Sequence, residues 1–158
     1  WSVQMTPQET VVLYKGQRLN DELVREENGM NASRISQYPE VRSALLPLQR
    51  KCAEMGSVLV AAGRDCGTVV FPQALLKVYL TASSESRAFR RSLEQEDTNL
   101  DSLLDLQKKR DREDKQRTHA PLQIPQGALV IDSSQLQKDE VVSQIAKQVR
   151  VLLGIPAK

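Results

Sequence analysis

Three short apolar segments, residues 57–62, 75–80 and 128–131, constrain this chain more than any other feature in it. Each is dense in Val, Leu and Ile and lacks the apolar–polar alternation of a half-solvated strand. That is the pattern of strands covered on both faces in a parallel sheet. Parallel strands need long crossovers, and the sequence supplies one. Between the second and third segments lie about fifty residues of charged, helical pattern, including Leu100, Leu103, Leu104 and the run Lys108 to Arg117. The third segment is followed by an amphipathic stretch with Val141, Val142, Ile145, Val149 and Leu152 on one side of a predicted helix. The expected fold class is α/β, a parallel sheet with flanking helices and a charged helical excursion.

Ahead of these segments the text changes character. Residues 1–20 read as a β-hairpin or meander, with Val11-Val12-Leu13-Tyr14 as strand and Lys15-Gly16-Gln17 as turn. Residues 21–36 are polar and predict two short helices broken near Asn28-Gly29. Pro39 opens a further helix at its favoured first position. Val41, Leu45, Leu48 and Cys52 form its apolar stripe, and Pro47 inside it predicts a kink.

Composition removes several function classes. At 158 residues, with 40% hydrophobic and 27% charged content, the chain is neither disordered throughout nor collagen-like. Its longest apolar run, Val58 to Ala62, is far too short to cross a bilayer, and Trp1-Ser2-Val3-Gln4-Met5 does not resemble a signal peptide. A cytoplasmic protein with no membrane partner is expected. The net charge is +2 and aromatics are 4%, so neither bulk charge nor stacking surfaces point to a nucleic acid polymer. Cys52 and Cys66 are read as free thiols, and His119 as a loop bystander. No zinc-type ligand set exists, and no metal-binding residue is assigned.

Three clusters carry the chemistry. Gly63-Arg64-Asp65-Cys66-Gly67-Thr68 directly follows the first apolar segment, and open α/β sheets bind ligands beyond the carboxyl ends of their strands. An arginine fork suits phosphate and a carboxylate accepts from amino or hydroxyl groups, although an internal ion pair pinning the loop is an equal reading. Arg87, Arg90 and Arg91 crowd one helical face, where like charges oppose one another unless an anion lies between them or Glu94, Glu96 and Asp97 supply the carboxylates. Arg110, Asp114 and Arg117 would line up along a helix, as a phosphate-and-hydroxyl clamp or as a salt-bridged surface.

Together these residues resemble a known family. Gly63-Arg64-Asp65-Cys66-Gly67-Thr68-Val69-Val70-Phe71-Pro72, then Leu80-Thr81-Ala82-Ser83-Ser84-Glu85, Arg87-Ala88, Arg90-Arg91 and the Arg110/Asp114/Arg117 set are similar to the motifs of bacterial cytidylate kinases. Ala120-Pro121-Leu122 and Ile131-Asp132-Ser133-Ser134 follow in the same order, and Asn31-Ala32-Ser33 and Pro39-Glu40-Val41-Arg42 fit upstream. The resemblance implies a P-loop nucleoside monophosphate kinase-like fold, incomplete at its N-terminus. Residues 1–38 would be a small acceptor-binding insertion and 39–158 the remaining core, with a helical lid at about 84–118.

It further implies phosphoryl transfer from ATP, with Mg2+, to CMP or dCMP, by a protein that is monomeric when complete. Ser33, Arg42 and Asp65 would hold the cytosine; together they can read its carbonyl, ring nitrogen and amino group. Arg64 and Arg117 would meet the acceptor phosphate, with Arg110 and Asp114 at the ribose. Arg87, Arg90 and Arg91 would close over the ATP phosphates, and Arg64, Arg117, Arg87 and Arg91 would serve the transfer itself. Two departures stand out. No Gly-x-x-x-x-Gly-Lys-Ser/Thr loop occurs in these residues, and Ala62 stands where the family places Asp before Gly-Arg-Asp. A second expectation from a different class is therefore a catalytically degenerate homologue that binds a nucleotide or a partner.

Overall fold

The structure is a computed structural model that describes residues 2–5, 10–23, 26–54, 56, 58–94, 100–116, 118 and 120–156. The chain divides into two compact units, Trp1–Pro47 and Leu48–Lys158.

The first unit opens with three antiparallel strands in the order β1 (Ser2–Met5), β2 (Thr10–Tyr14), β3 (Gln17–Arg18). Strands β2 and β3 pair Tyr14 with Gln17 across the two-residue turn Lys15-Gly16, so the turn comes where the sequence predicts but Gln17, expected in it, belongs to β3. Both turn residues have positive φ, 50° and 81°, the geometry whose twist matches flanking strands and which glycine adopts without strain. The Asn20 side chain accepts the Val12 N–H at 3.0 Å and so ties β2 to helix α1 (Asn20–Leu23). Helix α2 (Glu26–Ile35) follows.

The expected break at Asn28-Gly29 does not occur; α2 runs straight through both residues. A single interior glycine costs only about 1 kcal/mol, and Glu27 in the first turn complements the helix dipole. Helix α3 (Pro39–Lys51) begins at Pro39 as expected and carries Pro47 in its interior, at the end of the first unit. Its predicted apolar stripe is not a core: Val41 and Cys52 are half-buried, whereas Leu45 and Leu48 are exposed.

The second unit contains a parallel pair, β4 (Val78–Thr81) beside β5 (Leu129–Asp132), in the register Val78↔Leu129 to Thr81↔Asp132. Both strands fall on the second and third apolar segments. Helices α4 (Ser84–Glu94) and α5 (Leu100–Gln116) fill the crossover and pack on each other, with Ala88 and Leu103 buried. The missing bulk of Ala88 lets the two helices approach closely. Helix α6 (Lys138–Leu152) returns after β5. It starts with the Gln137 N–H donating to Glu140 at 2.7 Å, and just past its end Gly154 takes a positive φ that lets Ile155 N–H reach the Arg150 carbonyl. Of its predicted stripe, Val141 is buried while Val142 and Leu152 are exposed.

The first apolar segment departs from expectation. Residues 58–62 are irregular, and Val58 and Val60 are 85% and 92% exposed. A strand satisfies its backbone only through a neighbour, and among the described residues the parallel sheet has two strands, with none beside this segment. The architecture is thus mixed α and β with a small parallel sheet. Among the described residues no helix is long and apolar enough to cross a membrane.

Candidate functional site

Residues 63–65 form a bend that leads into a single π-helical turn, Cys66–Val70. The Asp65 carbonyl anchors that turn by accepting from the N–H groups of Thr68, Val69 and Val70 at 2.9–3.3 Å and from the Thr68 hydroxyl at 3.3 Å. Glycine is required at position 67 by proximity, since a Cβ there would lie 2.8 Å from Pro125. At the far end, Arg50 from α3 donates Nε to the Val70 carbonyl at 3.1 Å and Nη2 to the Val69 carbonyl at 3.0 Å. Burial and the neighbouring Asp65 charge push the Cys66 thiol up, so it stays protonated near neutrality and is a poor nucleophile. Cys52 and Cys66 are both free, as expected.

The bend projects Arg64 onto α5, where its Nη1 lies 2.9 Å from Asp114. Asp114 is buried and Arg64 is 45% exposed on its side chain, so the carboxylate is fixed while the guanidinium keeps an open flank. The first and third sequence clusters therefore meet through this pair. Arg110 lies one turn before Asp114 on α5; Arg117 and His119 lie outside the described residues.

A second arginine–aspartate pair ties α4 to α5. Arg87 grips both oxygens of Asp111, and also donates to the Ala82 carbonyl at 3.2 Å and the Ser84 hydroxyl at 3.3 Å. Gln107 donates to the same carboxylate at 3.2 Å. The Arg87 hydrogen bond, ahead of its charge, holds Asp111 below the usual carboxylate range, and the same bond raises Arg87. The carboxylate for this arginine is Asp111 of α5 and not one of the expected Glu94, Glu96 and Asp97, of which Glu96 and Asp97 lie outside the described residues.

Arg90 crosses to the end of β5, donating to the hydroxyl and carbonyl of buried Ser133 and to the Leu136 carbonyl. Ser83 N–H donates to the Ser134 hydroxyl at 2.8 Å, and the Ser86 hydroxyl to the Ser134 carbonyl at 3.1 Å. The carboxyl ends of β4 and β5 are thus joined by serines and Arg90. Asp132, exposed there, is held low by hydrogen bonds from the Ser134 hydroxyl and N–H. Arg91 is half-buried on the same helix.

In the first unit, Ser33 on α2 and Arg42 on α3 share a link that the sequence did not reveal. The Ser36 hydroxyl donates to the Ser33 carbonyl at 2.8 Å, and Arg42 donates to the Ser36 carbonyl at 3.2 Å. Among the described residues no group of three or more His, Cys, Asp or Glu side chains is assembled to hold a metal ion.

The family model described as Cytidylate kinase matches residues 1–151. A curated cytidylate kinase from Bdellovibrio bacteriovorus is 46% identical over 152 residues, which is 95% of this chain and 69% of that protein. Those from Chlamydia felis and Vibrio cholerae are each 47% identical over 137 residues. The matches cover 82% and 84% of this chain, and 61% and 60% of the respective relatives. The chain thus spans between 60% and 69% of the length of these three relatives.

Proposed function

The chain belongs to the cytidylate kinase family, and from that premise we propose that it serves the transfer of the γ-phosphoryl group of ATP to CMP or dCMP. The fold implied is that of the P-loop nucleoside monophosphate kinases, and the cell compartment is the cytoplasm, with the protein acting as a monomer. The observation that carries the reading is the Arg64–Asp114 pair, which joins two residues expected at the acceptor from separate stretches of chain.

Arg64 and Arg117 hold the acceptor phosphate, and Asp114 with Arg110 attends to the ribose. Arg64 reaches the phosphate by turning its open flank toward it, because phosphate oxygens and the Asp114 carboxylate suit the same guanidinium fork. Asp114 then accepts from a sugar hydroxyl in place of Arg64. Ser33, Arg42 and Asp65 read the cytosine through its carbonyl, ring nitrogen and amino group. Arg87, Arg90 and Arg91 face the donor phosphates, where positive charge balances what spreads over the transferring group. Arg87 does so by exchanging Asp111 for phosphate oxygens.

Magnesium accompanies ATP in this reaction class and offsets charge on its phosphates. The methyl of exposed Ala62 offers it no ligand, and no carboxylate cluster forms among the described residues. These residues do not fit a protein-held cation, and every step above rests on arginine, serine and aspartate side chains.

A coupled assay of ADP release with CMP as acceptor, run beside calorimetry of CMP and ATP binding, tests the reading. CMP binding is expected, with CMP-dependent ADP release once a Gly-rich phosphate loop is supplied ahead of these residues. A chain that binds neither CMP nor dCMP refutes it.

A further inference from the structure

We propose that Arg50 is a positioning residue, one that sets the Gly63–Asp65 bend and with it the aim of Arg64 and Asp65. The inference rests on the acceptor roles proposed above for those two residues. Arg50 is the next-to-last residue of α3, and a basic side chain in a last turn ordinarily turns back onto the open carbonyls of its own helix. This one leaves its helix and reaches 19 and 20 residues ahead along the chain, to Val69 and Val70.

Its two donors, at 3.1 and 3.0 Å, fall on successive carbonyls, so the planar fork fixes the direction of the strip of backbone between them. Those carbonyls close the π turn Cys66–Val70, whose first anchor is the Asp65 carbonyl itself. Val70 is only 3% exposed, so its carbonyl sits where lost hydrogen bonding is poorly replaced by water.

The turn is held by the Asp65 carbonyl at its start, by Gly67 against Pro125 in its middle, by the Phe71 N–H on the Cys66 carbonyl at 2.7 Å, and by Arg50 at its end. The first three are internal to the backbone path or purely steric. Arg50 alone among the four is a charged side chain arriving from another element. Removing it loosens the end of the turn, and the loosening propagates to the start, because one set of N–H groups, those of Thr68, Val69 and Val70, hangs from the Asp65 carbonyl. Arg64 and Asp65 then sample several orientations instead of one. Productive recognition of a base and a phosphate tolerates little such wandering, and misplacement by about 1 Å can cost two orders of magnitude.

The test uses Arg50→Ala and Arg50→Lys in the full chain, with CMP and ATP binding measured by calorimetry well below the unfolding transition. Arg50→Ala is expected to weaken CMP binding about tenfold or more while ATP binding changes by less than about twofold. Arg50→Lys, a point donor that cannot span two carbonyls, falls between it and the unsubstituted chain. Added guanidinium ion restores part of the CMP affinity of Arg50→Ala, which a general loss of stability would not permit. Unchanged CMP binding in Arg50→Ala overturns the proposal. So does an equal loss for CMP and ATP without guanidinium rescue. If the unsubstituted chain fails to bind CMP, the acceptor reading itself falls and takes the positioning role with it. Amide exchange at Thr68–Val70 then separates the two levels: faster exchange in Arg50→Ala retains Arg50 as the clamp of the turn, and unaltered exchange removes that too.

Discussion

Breaking the Arg87–Asp111 pair from either side gives unequal losses, and the structure sets their order. The two side chains are 29% and 21% exposed. Exposed pairs contribute about 0–1 kcal/mol, and stripping one partner from a fully buried pair costs about 3–5 kcal/mol. Arg87→Ala leaves Asp111 with the Gln107 amide as its one remaining described side-chain donor, so a loss of about 2 kcal/mol is expected. Asp111→Asn costs about 1 kcal/mol, because the guanidinium keeps the Ala82 and Ser83 carbonyls and the Ser84 hydroxyl. For a chain of this size the first loss lowers Tm by roughly 4–8 °C. The double variant loses less than the sum of the singles, by about 1 kcal/mol.

The pair also has a pH signature. Asp111 is depressed by Arg87, so its contribution is fully present above its unfolded value near 3.8 and is lost as pH falls through the lower folded value. Urea unfolding of the unsubstituted chain and Arg87→Ala should therefore show a stability gap that is constant near neutrality and narrows in acid. A gap that does not narrow between about pH 5 and about pH 2, or strict additivity in the double variant, refutes the reasoning.

Gly67→Ala places a methyl 2.8 Å from one Pro125 carbon and 3.3 Å from another, and thermal unfolding should register a loss of about 1–3 kcal/mol. Pro125→Ala in the same chain should recover part of it, since the clash is with that ring. Asp65→Ala should weaken CMP binding by at least about tenfold and leave ATP binding almost unchanged in calorimetry, because the role proposed for its carboxylate concerns the base alone.

What was legible in the sequence followed from local chemistry. The Lys15-Gly16 turn, Pro39 at a helix start, and β4 and β5 on two of the three apolar segments all rest on backbone preference or side-chain hydrophobicity within a few residues. Residues 58–62 are as apolar as β4 and yet form no strand, because hydrophobicity records what a segment would bury and not whether a neighbour is there to pair with it. The expected break at Asn28-Gly29 overweighted one glycine against the rest of α2. At the site, the helical spacing placed Arg110 one turn before Asp114 and put Arg87 and Arg91 on one helix. The partners were hidden: Asp111 for Arg87, Ser133 for Arg90, and Val69 and Val70 for Arg50 are long-range choices that no periodicity encodes. The basic end of α3 was the sole trace of Arg50, and such ends are too common to single it out.

The parallel pairing of β4 with β5 has a consequence for how the chain reaches this state. Two strands joined through residues 82–128 must close a long loop before any ladder bond forms, and closure entropy is charged in advance of the contacts that offset it. Helices form within about a microsecond, far faster than long-range strand pairing. Once α4 lies on α5, much of that loop is rigid, and the free chain left to search is short. Arg90 and Ser86 then catch Ser133, Ser134 and Leu136 as β5 arrives. The helical pair, through α4 at the strand ends, thus shortens the search by which the strands find each other.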